Sequence, residues 1–415
     1  MNEAQRTIDA IWRIESPRVI AGVARMVRDV GIAEELAQDA LVTALETWPR
    51  DGVPNNPGAW LMTAAKHRAI DHLRRGKRVE RKHDEIAKTE PAPERPKIED
   101  VIDDDVGDDL LRLVFTACHP VLSLEARVAL TLRLLCGLTT AEIARAFLSS
   151  EPTIAQRIVR AKRTLSEAHV PFEVPRGAER EARLSSVLAV IYLVFNEGYS
   201  ATAGDDWMRP ALCEDALRLG RMLAQLAPDE PEVHGLVALM ELQASRIGAR
   251  TTLTGEPILL ADQNRGRWDR LLIGRGLAAL ARAIQLGGSH GPYALQAAIA
   301  ACHARAPTAD DTDWARIVEH YGELAQVTPS PIIELNRAVA VAMAQGPAAG
   351  LALVDALRDE PVLAHYHLLY GVRGDLLIKL GRLDEARREL ERAAELTNNA
   401  RERKLLLERA ASCRS

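Results

Sequence analysis

The sequence predicts an all-α protein. Apolar residues recur at spacings of three and four along most of the 415 residues, and the alternation typical of strands is nearly absent. Residues that cap helices stand before several of these periodic stretches. Prolines are clustered at residues 49–57, 91–96 and 171–175, where they are expected to interrupt regular helices. We therefore expect a succession of separate helical regions.

The composition indicates a multidomain protein without an enzyme signature. A length of 415 residues implies two or three domains, and the net charge is only −5. No apolar run is long enough to span a membrane and the first residues lack a signal-peptide pattern, so we expect a cytoplasmic protein. The sequence has no Walker phosphate loop, HExxH or GxSxG, and its five cysteines form no CxxC pair. We expect no catalytic site, no cofactor and no metal.

Residues 137–165 have the pattern of a helix-turn-helix. Thr139 and Glu142 form a capping box that opens one helix, and Ser149 and Ser150 supply a cap for the next. Pro152 falls in the first turn of the second helix, where proline is tolerated. This motif typically places its second helix in the major groove of DNA.

The second helix of this motif separates an apolar face from a basic one. The residues expected to face the protein are Ile154, Ile158, Ala161 and Leu165. The outward side chains suit DNA, because glutamine pairs with an adenine edge and arginine with a guanine edge or a phosphate. The candidate DNA contacts are Thr153, Gln156, Arg157, Arg160 and Lys162. On this segment alone, an ordinary helical hairpin with a solvated basic face remains the alternative.

A second segment, residues 34–75, combines an acidic helix, a proline-rich loop and a basic helix. The polar face of the first helix carries Glu34, Glu35, Gln38 and Asp39. The loop at 49–57 contains three prolines and two asparagines and is predicted to be irregular. Between residues 66 and 82, eight Lys or Arg stand against two Asp or Glu. That density is typical of a surface that binds phosphates.

The order of these segments resembles an extracytoplasmic-function sigma factor of bacterial RNA polymerase. The likeness covers residues 32–165 and rests on the acidic helix, the loop, the motifs AWL (59–61) and AIDHLRR (69–75), and the helix-turn-helix. It implies two small helical sigma domains, the second a helix-turn-helix, joined by an acidic linker. One departure is His67, where the family usually has asparagine.

The resemblance also implies partners and site residues. The chain would bind the bacterial RNA polymerase core, at the clamp helices of its largest subunit, through Glu35, Gln38 and Asp39. It would bind the minus-ten element of promoter DNA through Asn55, Asn56, Lys66, His67, Arg68, Arg74 and Arg75. The outward residues of the second helix of the helix-turn-helix would bind the minus-thirty-five element.

Four regions follow along the chain from this resemblance. Residues 1–82 correspond to sigma region 2, 83–109 to the linker, 110–170 to sigma region 4, and 171–415 to a large tetratricopeptide-like helical domain. The linker has eleven Asp or Glu against three Lys or Arg and contains three prolines, which predicts a flexible tether.

The C-terminal region is also predicted to be all helical. Residues 374–396, GDLLIKLGRLDEARRELERAAEL, resemble a tetratricopeptide repeat, whose stacked hairpins bind proteins or peptides on a concave face. Four further strips, at 195–201, 259–270, 291–304 and 330–340, resemble the sigma-factor subfamily with such a C-terminal extension. The resemblance implies a built-in regulator that binds a protein or a ligand.

Nine polar residues of this region have two interpretations. They are Glu197, Tyr199, Asp262, Arg265, Trp268, Asp269, Tyr293, Gln296 and Asn336. Polar groups beside apolar helices mark either the lining of one cavity or a buried hydrogen-bond network, and the sequence does not choose between them.

Two alternatives to a sigma factor remain open from the sequence. A DNA-binding regulator would use the helix-turn-helix without polymerase and sense a ligand or a protein through the helical domain. A helical scaffold with incidental basic patches would show no salt-dependent affinity for DNA.

Overall fold

The protein is helical throughout the part of the chain that the structure describes, which confirms the predicted fold class. The computed structural model describes residues 3–84, 106–252 and 254–413, with side chains for 5–75, 107–252 and 254–413. These ranges contain eighteen α-helices and one pair of two-residue strands. None of these helices is both long and apolar enough to cross a membrane. The chain divides into two compact units, Met1–Ile191 and Tyr192–Ser415.

The first unit contains seven complete helices and the start of an eighth within its described residues. They are α1 (Glu3–Val27), α2 (Val30–Asp51), α3 (Pro57–Asp84), α4 (Val106–Ala117), α5 (Leu124–Leu134), α6 (Thr140–Ala146), α7 (Glu151–Glu167) and α8 (Gly177–Tyr199), which continues into the second unit.

Helices α1, α2 and α3 pack together as one bundle. Asp29 caps α2, because its carboxylate accepts a hydrogen bond from the backbone N–H of Ile32 at 2.9 Å. The buried face of α2 carries Ala33, Ala37, Ala40 and Ala44 at alternating spacings of four and three residues. These small side chains allow neighbouring helices to approach closely, which leaves the longer polar side chains of α2 on its other faces.

Helix α2 extends farther than the sequence predicts. The predicted irregular loop covers residues 49–57, but α2 continues through Pro49 to Asp51, and α3 begins at Pro57. Pro49 lies in the last turn, and Gly52, with a φ of +85°, ends the helix while its N–H donates to the Trp48 carbonyl. The irregular segment is therefore residues 52–56.

Two of the predicted regions, the linker and the C-terminal region, can be compared with the described residues. The linker predicted at 83–109 lies mostly outside the described residues, which stop at Asp84 and resume at Val106. The C-terminal region is predicted to start at residue 171, but the first half of α8 packs on α4 within the first unit. Arg183 donates to the Phe115 carbonyl at 3.1 Å, and Ser186 donates to the Cys118 carbonyl at 2.9 Å.

The second unit is a succession of helices, most of them joined by short turns, and the longer segment 245–269 connects two of them. Its α-helices after α8 are α9 (Pro210–Leu226), α10 (Pro231–Ala244), α11 (Arg270–Gln285), α12 (Pro292–Arg305), α13 (Trp314–Val327), α14 (Pro331–Gln345), α15 (Pro347–Ala356), α16 (His367–Lys379), α17 (Leu383–Leu396) and α18 (Ala400–Ser412). Single 3-10 turns lie at Ile247–Ala249, Leu260–Asp262, Arg265–Arg267 and Pro361–Leu363.

The hairpin of α16 and α17 confirms the helical pattern of the repeat predicted at 374–396. Gly381 occupies the turn with a φ of +74°, a conformation that glycine adopts without strain. Ala386, Leu390 and Ala393 of α17 are fully buried. Each helix from α12 to α18 packs on the next one in the chain, as in stacked helical hairpins.

A two-residue strand pair links the beginning and the end of the second unit. Strand β1 (Ala203–Gly204) pairs in parallel with β2 (Asn398–Asn399). The side-chain amide of Asn399 donates to the carbonyls of Ala201 and Asp206, at 3.1 and 2.9 Å. The row of hairpins is therefore tied back to the segment that follows α8.

Gly374 and Gly371 offer a matched test of the packing between α16 and α17. A Cβ atom at Gly374 would lie 2.8 Å from Cγ of Leu390, whereas at Gly371 the nearest atom would be 3.9 Å away. We expect Gly374→Ala to lower the free energy of unfolding by about 1–3 kcal/mol. Gly371→Ala should leave it unchanged or raise it by up to about 1 kcal/mol, because alanine favours the helix. Urea unfolding followed by circular dichroism measures both, and equal stabilities would contradict the close packing.

Candidate nucleic-acid interface

The helix-turn-helix forms as the sequence predicts. The backbone N–H of Glu142 donates to the Thr139 hydroxyl at 3.2 Å, and the N–H of Thr139 donates to the Glu142 carboxylate at 2.8 Å. Ser150 alone caps α7, accepting from the N–H of Thr153 at 3.3 Å. Leu148, with a φ of +47°, makes the tight turn between α6 and α7. These local contacts fix how α7 leaves the turn.

Helix α7 presents its predicted apolar face to the protein. The buried residues of α7 are Ile154, Ile158, Ala161 and Leu165, as the sequence predicts. Thr153, Gln156 and Arg160 are exposed, and Arg157 is half-buried. These four side chains line one groove of about 360 Å³ together with residues 121–123 and Ala126. The structure therefore brings four of the five candidate contacts of this helix together.

Lys162, the fifth candidate, points to a different surface. Its ammonium group forms an ion pair with the carboxylate of Glu34 on α2. Glu34 is only 2% exposed and also accepts from Arg133 Nε at 2.7 Å and Gln38 Nε2 at 2.6 Å. One buried carboxylate therefore holds side chains from α2, α5 and α7, and the spacing of residues along α7 gave no signal of this long-range contact.

Further ion pairs join α1 to the later helices of the first unit. Arg13 on α1 pairs with Glu142 of the capping box. Arg25 on α1 lies 3.4 Å from the carboxylate of Asp109 on α4, which is 4% exposed and also accepts from Arg112 at 2.6 Å. The α1–α3 bundle and the helix-turn-helix thus contact each other through charged side chains.

The polar face of α2 is exposed at two of the four positions that the sequence assigns to it, and the prediction is wrong for Glu34, which is buried. Glu35 and Asp39 are exposed, while Gln38 is half-buried because its amide donates to Glu34. The Asp39 carboxylate lies 4.0 Å from Arg68 Nε on α3. The face therefore carries exposed negative charge at Glu35 and Asp39, and Gln38 has a structural contact as well.

The seven candidates around α3 lie at its beginning and along its length. Asn55 and Asn56 are exposed in the segment before α3, and the Asn56 side chain accepts from the N–H of Ala59 at 3.1 Å and so caps the helix. Lys66 and Arg68 are half-buried, and Arg68 also donates to the Thr43 hydroxyl at 2.5 Å. The exposed members on α3 are His67, Arg74 and Arg75. Their spacing of seven and eight residues places these three on one face of the helix.

Three sequence families match successive parts of the chain. Residues 11–79 match sigma-70 region 2, and residues 112–165 match sigma-70, region 4. Residues 183–284 match a family of unknown function, DUF6596. The first two matches cover α1–α3 and the helix-turn-helix.

Individual proteins are also similar to this chain. An uncharacterized protein of Rhizobium meliloti (strain 1021) is 43% identical over 387 residues, which are 93% of this chain and 91% of that protein. A probable ECF RNA polymerase sigma factor, SigI, of Mycobacterium tuberculosis is 25% identical over 42% of this chain and 59% of its own length. The ECF RNA polymerase sigma factor SigK of Mycobacterium ulcerans is 32% identical over 36% of this chain and 78% of its own length.

Replacing Glu34 tests whether its carboxylate holds the first unit together. Glu34→Ala leaves Arg133 and Lys162 without their carboxylate, and we expect the free energy of unfolding to fall by about 3 kcal/mol. The exposed neighbour Glu35 is the control, because Glu35→Ala should change this free energy by less than about 0.5 kcal/mol. Urea unfolding of both variants decides the matter, and a Glu34→Ala protein as stable as the control would disprove the role.

Proposed function

Because the chain belongs to the extracytoplasmic-function sigma factors of RNA polymerase, we propose that three of its helical surfaces divide the work of promoter-specific initiation. One surface holds the polymerase core, and two hold promoter DNA. The observation that carries this proposal is that an exposed acidic face on α2 and exposed basic faces on α3 and α7 lie inside the stretches that match sigma-70 regions 2 and 4. A DNA-binding regulator that works without polymerase is not favoured, because it has no need of sigma region 2.

In this proposal α2 docks on the clamp helices of the largest polymerase subunit. Glu35 and Asp39 offer exposed carboxylates to a basic partner surface, and Gln38 lies between them. Complementary charge raises the rate of association and fixes the orientation of a partner. Sigma factors are initiation factors and not enzymes, so we assign no catalytic step to the chain and place its action in the cytoplasm with the polymerase.

The segment at 52–56 and α3 bind the minus-ten element. A short irregular segment offers side chains to an unstacked base, and base extrusion costs a few kcal/mol that such contacts offset. Asn55 and Asn56 stand at this segment, and the exposed face of His67, Arg74 and Arg75 adjoins it along α3 for the strand backbone. Lys66 and Arg68 flank that face.

Helix α7 binds the minus-thirty-five element through Thr153, Gln156, Arg157 and Arg160. These side chains share one groove-facing surface, and glutamine and arginine have the donor patterns that read base edges. Lys162 can contact DNA only when its ion pair with Glu34 is broken.

The second unit serves as a regulatory or partner-binding module. Its succession of helical hairpins is the kind of surface that binds proteins or peptides. We place regulation in this unit because the polymerase and DNA surfaces proposed above all lie before residue 166.

Charge reversal on α2 tests polymerase docking. We expect the double substitution Glu35→Lys and Asp39→Lys to weaken binding to bacterial core polymerase at least about tenfold, since like charges then face each other. Gln38 is left intact because it contacts the buried Glu34. Glu181→Lys, an exposed reversal on α8, is the control. Core binding and run-off transcription with the full-length variants provide the measurements, and equal binding by both variants would refute the docking surface.

Removing two arginines of α7 tests recognition of the upstream element. A base-edge contact contributes about 1–3 kcal/mol, so Arg157→Ala with Arg160→Ala should weaken minus-thirty-five binding by about tenfold or more. Arg163→Ala is the control on the same helix, because Arg163 pairs with Glu167 outside the groove. Footprinting of the polymerase complex on a responsive promoter reads out both, and an unchanged upstream footprint in the double variant would show that the register of α7 is wrong.

A further inference from the structure

A cavity of about 290 Å³ lies among the helices of the second unit. Its walls come from α10, α12, α13 and α14, with Tyr192 of α8 and Leu260 completing them. Nine of the fourteen lining residues are aliphatic or aromatic, such as Leu239, Ile299 and Tyr321, and the other five are polar. A volume of this order matches a small organic molecule, and apolar walls with a few polar groups are typical of ligand sites.

The only charged side chain among the described residues that line this cavity is Arg246. Its guanidinium carbon lies 5.7 Å from the ring centre of Tyr199 and 5.6 Å from that of Trp268. Its Nε donates to the Tyr199 hydroxyl at 3.0 Å. Within the described residues no carboxylate lies within 4 Å of its nitrogens. The two rings and the hydroxyl hold a cation beside the cavity without a counter-ion.

Two neighbouring arginines add to the positive charge. Arg265 donates to the carbonyls of His303 and Ala306 and to the hydroxyl of Thr312. Arg250 donates to the Tyr199 carbonyl. Neither has a carboxylate partner in the described part of the chain, and both are buried. The hydrogen bonds that these two arginines make to neutral oxygens leave their charge uncancelled, so the surroundings favour an anion.

Polar atoms at the cavity lack partners. His303 is 91% buried, and its Nδ1 has no hydrogen-bond partner within the described structure. Burial and the nearby charges of Arg246 and Arg265 lower the pKa of His303 to about 4, so the ring is neutral at physiological pH. The Oε1 atom of Gln243 is also buried, and no described residue offers it a hydrogen bond. A buried polar atom that makes no hydrogen bond costs about 1–3 kcal/mol, and a ligand that reached either atom would recover that cost.

We infer that this cavity binds a small organic monocarboxylate whose apolar body lies on the aliphatic walls and whose carboxylate pairs with Arg246. A guanidinium fork matches the two oxygens of a carboxylate. Because Arg246 is the only cation among the described lining residues, it balances the single charge of a carboxylate better than the double charge of a phosphate dianion.

Of the nine polar residues that the sequence singles out in this region, two line the cavity. Gln296 and Asn336 belong to its wall, and Gln296 Oε1 accepts from the Tyr192 hydroxyl at 3.1 Å. Tyr199 and Trp268 do not line the cavity, but their rings contact the guanidinium group of Arg246. The other five do not line the cavity: Glu197 pairs with Arg209, Asp269 caps α11, and Arg265 donates to the carbonyl of the cavity-lining His303.

The regulatory consequence of binding rests on the role proposed above for the second unit, whereas binding itself does not. Calorimetry therefore measures binding to the full-length protein, and run-off transcription measures its effect separately. The probes are benzoate, 4-hydroxybenzoate, phenylacetate and octanoate, each paired with its uncharged amide, together with inorganic phosphate.

We expect at least one carboxylate to bind about tenfold or more tightly than its amide, because hydrogen bonds to a charged group contribute about 1.5–3 kcal/mol. Arg246→Gln should abolish this preference. Arg275→Gln, which changes an exposed arginine on α11, should retain it. Ala300→Leu, which narrows the cavity and leaves Arg246 in place, should weaken every carboxylate that binds.

Three results would overturn the inference. They are failure of all four carboxylates to bind, equal affinity for a carboxylate and its amide, and tighter binding of phosphate than of any carboxylate. If Arg246→Gln fails to fold, its thermal unfolding shows this, and Ala300→Leu still decides whether the cavity is the site. If a carboxylate binds but leaves run-off transcription unchanged, that result would contradict the regulatory role of the second unit. It would not contradict the binding site.

Discussion

The buried carboxylate of Glu34 is the interaction on which the arrangement of the first unit depends. It accepts from side chains of α2 and α5 and pairs with a lysine of α7, so three helices that are distant in sequence share one charge. Burying a carboxylate costs several kcal/mol unless cations and donors surround it. Because Lys162 turns inward to meet Glu34, helical geometry leaves Arg160 exposed and Arg157 half-buried on another side of α7, and a structural ion pair thereby orients the surface that we propose binds the minus-thirty-five element.

Arginine serves opposite purposes in the two units. In the first unit, exposed arginines such as Arg74, Arg75 and Arg160 extend into solvent, where they suit phosphates and base edges. In the second unit, Arg250 and Arg265 are buried against backbone carbonyls, and Arg246 is held between two aromatic rings. In the first unit the arginine charges are available to an external partner. In the second unit they make the electrostatic potential inside the protein positive. The net charge of −5 indicates neither the exposed arginines nor the buried ones.

Sequence reasoning succeeded where local interactions decide the structure. The capping box at Thr139, the cap at Ser150 and the buried face of α7 follow from spacing, because each contact joins residues within one helical turn or one face. The prediction fails at Pro49, which lies in the last turn of α2 and does not end the helix. It also gave no hint that Lys162 faces Glu34 or that Arg246 and His303 share a cavity, since those pairings join distant residues and belong to no motif.

The strand pair of the second unit sets an order of events during synthesis. Strand β1 must pair with β2, which lies roughly 200 residues farther along the chain. At about 5–20 residues per second, β1 leaves the ribosome on the order of 10 to 40 seconds before its partner. Throughout that interval the helical hairpins between them complete their local contacts, while the carbonyls of Ala201 and Asp206 lack the amide of Asn399. Strand β2 is therefore the element that closes the row of hairpins, and translation that stops before residue 398 leaves that row open.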